Sequence, residues 1–128
     1  MQWVYSCPHC GGILNPEKTI MLIGEQGSDR VMVGLHPKPG NYRVCVPQGF
    51  EIVAGSRWDF VCPICHHNLV TEVAPDLCCL DMVTEEIRHR VYFSRIAGEH
   101  ATFVITAEGI ERHGEHADRH SLEILGSV

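Results

Sequence analysis

The chain has 128 residues, 45% of them hydrophobic, and a formal net charge of −6; this is enough apolar side chain for one folded domain, and no run reaches the 18 or so apolar residues of a membrane-spanning helix. Its eight arginines and two lysines form no basic stripe, which disfavours the concentrated positive face that nucleic-acid binding requires. Met1-Gln2-Trp3-Val4-Tyr5 has neither the basic nor the apolar part of a secretory signal, so the seven cysteines are expected in the reducing cytoplasm, as thiols or metal ligands rather than disulfides.

Residues 1–14 run from an aromatic approach, Trp3-Val4-Tyr5, through Cys7-Pro8-His9-Cys10 to a short exit, Gly11-Gly12-Ile13-Leu14. Asn15-Pro16-Glu17 breaks the chain there. Residues 15–56 then read as an inserted hairpin or small sheet. It consists of a mostly apolar strand at 18–23, a polar glycine-rich turn at 24–29, and a returning strand at 30–35. A loop with two prolines and a glycine follows at 36–41, then a third strand at 42–46 and a turn at Pro47-Gln48-Gly49. Residues 57–73 repeat the opening pattern. The approach Arg57-Trp58-Asp59-Phe60-Val61 leads into Cys62-Pro63-Ile64-Cys65, and the exit from His66-His67 runs into a strand-like stretch at 68–73.

Residues 77–128 are expected to form a C-terminal β-hairpin and a polar tail. Residues 77–83 are apolar and strand-like, and Thr84-Glu85-Glu86 turns the chain. Residues 87–96 alternate, with Ile87, His89, Val91 and Phe93 on one face and Arg88, Arg90, Tyr92 and Ser94 on the other. Residues 97–100 turn this strand back into another at 101–106. In the His- and Glu-rich tail, Gly109 and Gly114 weaken a helical reading, and residues 121–125 could close as a strand. The fold class is therefore mainly β, in a single domain covering 1–128.

The two Cys-Pro-x-Cys segments carry the chemistry. Two cysteines three apart reach one ion only if the backbone between them turns sharply. Proline after the first presets φ for that turn, and glycine after the second permits a positive φ. Two such knuckles supply four thiolates, Cys7, Cys10, Cys62 and Cys65, which is the complete tetrahedral set that zinc takes in a closed structural site. In these knuckles and their flanks, about a third of the chain, the sequence resembles the zinc-ribbon superfamily. The resemblance implies one structural zinc per chain. It implies no single function, because that superfamily spans nucleic-acid binders, protein-interaction modules and parts of enzymes. Two departures stand out. The gap between Cys10 and Cys62 is 51 residues, against a usual spacing of roughly 15–20, and His66 stands where such a knuckle often carries glycine. Rubredoxins hold iron in related geometry.

The remaining candidates weigh less. Cys45, Cys78 and Cys79 read as small apolar residues, with 78 and 79 on opposite sides of one strand. His66 or His67 could replace a ligand or bond a sulfur from outside the site. His113, His116 and His120 would share a face of a helix, with Glu115 or Asp118 adding a carboxylate, and so suggest a second, catalytic metal. Arg88, Arg90, Tyr92 and Arg95 are the residues a nucleic acid would use. No nucleophile elbow, phosphate loop or dinucleotide-binding glycine pattern occurs. The expectation is a non-enzymatic zinc-binding module with another protein as its partner and no membrane association. A nucleic-acid-binding ribbon, and an electron-transfer protein or metalloenzyme, are the alternatives.

Overall fold

Apolar–polar alternation along the chain resolves into two antiparallel sheets. A computed structural model of the protein describes residues 3–72, 74–106 and 109–120. Among these, the elements in chain order are β1 (Val4–Ser6), β2 (Ile20–Gln26), β3 (Asp29–Leu35), β4 (Val44–Cys45), β5 (Asp59–Val61), β6 (Leu77–Thr84), β7 (Ile87–Ser94), β8 (Thr102–Thr106), β9 (Gly109–His113) and a 3-10 turn at Ala117–His120. One sheet has five strands in the order β1-β6-β7-β8-β9, the other four in the order β4-β3-β2-β5. No helix among the described residues is long and apolar enough to cross a membrane.

The inserted segment at 15–56 supplies β2, β3 and β4 of the four-stranded sheet, and β5 comes from the approach to the second knuckle. Its hairpin is tighter than the sequence suggests, because Gln26 pairs with Asp29 and only Gly27 and Ser28 form the loop. Gly27 supplies the positive φ, +59°, that a two-residue hairpin asks of its first position. Gly24, which reads as a breaker, lies inside β2 because other groups occupy the space of a side chain. A Cβ there would stand 3.0 Å from Val33 Cγ2 and 3.3 Å from Trp58 Cε3. The third strand expected at 42–46 shrinks to Val44–Cys45. Tyr42 leaves for the other sheet, where its hydroxyl bonds Thr102 Oγ1 at 2.9 Å and the His113 carbonyl at 3.0 Å.

The expected hairpin of β7 and β8 is present, inside the larger sheet. The β6–β7 turn needs two residues only, Glu85 and Glu86, both at positive φ (+51° and +67°). Of the strand expected at 68–73, Val73 lies outside the described residues, and residues 68–72 form none. They make single bridges, Val61 to Asn68 and Val70 to Cys78, because the Asn68 side chain turns the backbone by accepting from the Val70 N–H. The polar tail differs as well, since residues 109–113 pair with β8 as an edge strand. The closing strand expected at 121–125 lies outside the described residues.

Two cores result. Between the sheets, Ile20 and Leu22 of β2 pack with Leu80 and Met82 of β6, Val91 of β7 and Val104 of β8. Behind the five-stranded sheet, Leu77, Cys79, Tyr92 and Phe103 pack with Ala101 and Ala117. Cys78 falls in the first core and Cys79 in the second, as their adjacent positions on one strand require. Burial pushes their thiols up, to about 12 and about 11, so both are inert core residues at neutral pH. Cys45 is exposed.

Candidate metal centre

Each knuckle is built by the same hydrogen bonds, displaced by 55 residues. Cys7 N–H donates to Gly12 C=O at 3.0 Å, as Cys62 N–H does to His67 C=O at 3.0 Å. Gly11 N–H donates back to Cys7 C=O at 2.8 Å, as His66 N–H does to Cys62 C=O at 2.9 Å. Leu14 N–H closes on Tyr5 C=O and Leu69 N–H on Phe60 C=O, both at 2.8 Å. The turn position after the second cysteine is left-handed in both, with Gly11 at φ +75° and His66 at φ +63°. The sequence departure at His66 is therefore a glycine site filled by a histidine.

The knuckles grow from different sheets. The first leaves β1, an edge of the five-stranded sheet, and the second leaves β5, an edge of the four-stranded one. Their exits cross over. Leu14 C=O accepts from Met21 N–H of β2, and Leu69 C=O accepts from Cys79 N–H of β6. This exchange brings the two cysteine pairs face to face.

All four sulfurs lie within 4.8 Å of one another. The Cys7–Cys65 separation is 3.7 Å and the Cys10–Cys62 separation 3.9 Å. Four thiolates at about 2.3 Å around one tetrahedral ion would stand about 3.8 Å apart along each edge. The cluster therefore has the dimensions of a four-sulfur metal site, and these four cysteines could hold one ion. Backbone N–H groups point at the sulfurs: His9 to Cys7 at 3.3 Å, Gly12 to Cys10 at 3.4 Å, Ile64 to Cys62 at 3.3 Å and Cys65 to Cys62 at 3.5 Å. Such donors stabilise thiolate charge and orient ligands.

The thiols differ in environment. Burial pushes Cys7 up to about 12. Burial acts the same way on Cys62, but the N–H groups of Cys65 and Ile64, with the neighbouring sulfurs, outweigh it and hold that thiol below its ordinary value. Cys10 is exposed and Cys65 half-buried, so one edge of the site faces solvent. There His67 Nδ1 sits 3.8 Å from Cys65 Sγ, and its ring stacks on His9 with centroids 4.3 Å apart. His9 carries no signal in the sequence beyond lying inside the first knuckle. Its pairing with His67 depends on the two knuckles meeting.

Set against protein-family models, curated proteins and solved structures, the chain matches none.

The three tail histidines do not gather. His113 ends β9, and His116 Nδ1 accepts from His100 N–H at 2.9 Å. His120 is buried, its Nε2 against Glu99. Among the described residues the four cysteines are the metal-sized cluster, and none of these histidines joins another. The arginine face is also engaged. Arg90 Nε reaches Asp81 at 3.3 Å, Arg88 approaches the same carboxylate at 4.0 Å, and Tyr92 is buried in the second core. Arg95 bonds the carbonyls of Trp58 and Pro75 and the Asp59 carboxylate.

Proposed function

We propose that the protein is a non-enzymatic binding module whose two sheets are joined by one structural zinc on Cys7, Cys10, Cys62 and Cys65, in the manner of a zinc ribbon. The sulfur separations of 3.7 and 3.9 Å carry this reading, since they match the edges of a tetrahedral thiolate site before any ion is placed. The donor set itself supports a structural role. Four protein sulfurs leave no open position for substrate or water, whereas catalytic zinc keeps one. When bound, zinc supplies charge neutralisation and a fixed tetrahedral junction, and no redox chemistry.

The partner is proposed to be a protein, in the cytoplasm. On the outward face of the four-stranded sheet, Met21 and Met32 are exposed, with Cys45 of the short edge strand β4 on the same face. Methionines there could adapt to an apolar segment of a partner. The engagement of Arg90, Arg95 and Tyr92 with the protein's own groups weighs against nucleic acid as the partner.

Metal content with an absorption spectrum, on untagged protein expressed without added metal, tests the reading. One zinc per chain and a colourless solution are expected. Iron with visible thiolate bands would replace it with electron transfer, and two metals per chain would reopen the tail histidines.

A further inference from the structure

The sheets are not packed flush along their whole length. Away from the metal site they leave a cavity of about 190 Å³, partly open to solvent. Its walls are aliphatic and aromatic: Ile20 and Leu35 from the four-stranded sheet, Phe60 beside them, and Val91 and Phe93 from the five-stranded one. Trp58 lines it as well, and so do His36 and residues 38–43 of the exposed loop after β3.

Charge along this loop runs against the character of the chain. The protein carries −6 overall, yet no Asp or Glu occurs between Asp29 and Glu51. Among the charged residues lining the cavity, Glu99 already accepts from Ser94 and Arg119 and meets His120. Arg95 is held by Asp59 and two carbonyls. Lys38 and Arg43 line the same space, are exposed, and have no carboxylate partner among the described residues. The cavity thus combines an apolar interior with two uncommitted cations and no uncommitted acid.

We infer that this cavity binds a small amphiphilic anion, with an apolar body between the sheets and a carboxylate against Lys38 and Arg43. This site is separate from the metal centre and does not depend on which metal that centre holds. Size limits the ligand. A dry apolar cavity of about 150 Å³ accommodates benzene, so about 190 Å³ with an open mouth suits a body of about eight to ten heavy atoms. Apolar burial supplies affinity, and the cations select the head group because a carboxylate desolvated there gains charge-assisted hydrogen bonds that an alcohol does not.

The test is calorimetric titration of the metal-loaded full chain with octanoate, octan-1-ol and octylammonium. Octanoate should bind saturably at one per chain, octan-1-ol about tenfold or more weaker, and octylammonium weaker still. Lys38→Gln with Arg43→Gln, both exposed and outside the core, should bring octanoate to the affinity of the alcohol and leave the alcohol unchanged. Proton NMR contacts should connect the octanoate methyl to the Phe60 and Phe93 rings. Equal affinity for the acid and the alcohol, an unchanged octanoate affinity in the double variant, contacts elsewhere on the protein, or no saturable binding of octanoate would each overturn the inference.

Discussion

Stripping the metal under reducing conditions should do more than empty a surface site. A structural four-cysteine zinc contributes on the order of 10 kcal/mol to folding, and a domain of this size has only about 5–15 kcal/mol in total. The structure says where the loss falls. Cys7 and Cys62 are buried, at 1% and 0% exposure, and each anchors a turn whose exit hydrogen-bonds to the opposite sheet. Without the ion, buried sulfurs face one another with N–H donors aimed at them and no thiolate charge to receive. The amides of Met21 and Cys79, which bond the knuckle exits across to the opposite sheet, should lose hydrogen-exchange protection first. The β6–β7–β8 ladder, backed by its own core, should lose it last. Thermal unfolding with and without chelator measures the total, and a fall of tens of degrees or a loss of cooperative unfolding is expected. At roughly 3–5 °C per kcal/mol for a chain of this length, a fall under about 5 °C would limit the contribution to about 1 kcal/mol and refute the clamp.

Four further outcomes are expected. Replacing Glu85-Glu86 by Asn-Gly should stabilise the protein by about 1–2 kcal/mol in denaturant titration, because both residues hold left-handed φ in a two-residue hairpin. His66→Gly should give a smaller gain, about 0.5–1 kcal/mol, with metal stoichiometry unchanged. Gly114→Ala should cost at least about 2 kcal/mol, since φ is +98° and the new Cβ would land on the His100 carbonyl and the Tyr42 hydroxyl. Glu99 is held below its ordinary value of 4.5: burial raises it, but the bonds from His120, Ser94 and Arg119 and the charge of His120 outweigh that. Its contribution is therefore present above pH 4.5 and lost as pH falls below it. Glu99→Gln should be the less stable protein at pH 7, and the difference should shrink as pH falls below 4.5 in paired unfolding titrations.

The gathering of Cys7, Cys10, Cys62 and Cys65 was legible in the sequence because its signal is local. Two cysteines with a proline between them specify a turn by themselves, and repetition of the pattern 55 residues later supplies the partner. Strands β2, β3, β6, β7 and β8 were legible through apolar runs and alternation. What failed depended on distant neighbours. Gly24 reads as a turn residue until Trp58 lies across it. Tyr42 reads as a strand residue until the hydroxyl of Thr102 captures it. Residues 109–113 have no apolar alternation of their own and become a strand because β8 offers an unpaired edge. Gly114 reads as a residue that weakens a helix, whereas its role is to let the His100 carbonyl approach the backbone.

The long gap between the knuckles is the departure that most needed a structural reason. Closing a flexible loop of 51 residues costs more than closing one of 15–20, although only by a slowly growing logarithmic amount. Here the gap is not a flexible loop. Its last strand, β5, pairs with its first, β2, through Ile23 with Val61 and Gly24 with Phe60. The ends of the insertion are thus brought together by sheet hydrogen bonds and by the burial of Ile20 and Leu22 against the other sheet. An ion held by the four cysteines would then fix a junction that the insertion has already half assembled. Lengthening the exposed loop around Pro47-Gln48-Gly49 should accordingly leave metal affinity nearly unchanged, whereas breaking the β2–β5 pairing should weaken it. A proline at Gly24 would remove an N–H from the middle of that sheet without touching any ligand. If metal affinity survived it undiminished while the four-stranded sheet lost its protection in hydrogen exchange, the two knuckles would be assembling independently of the insertion.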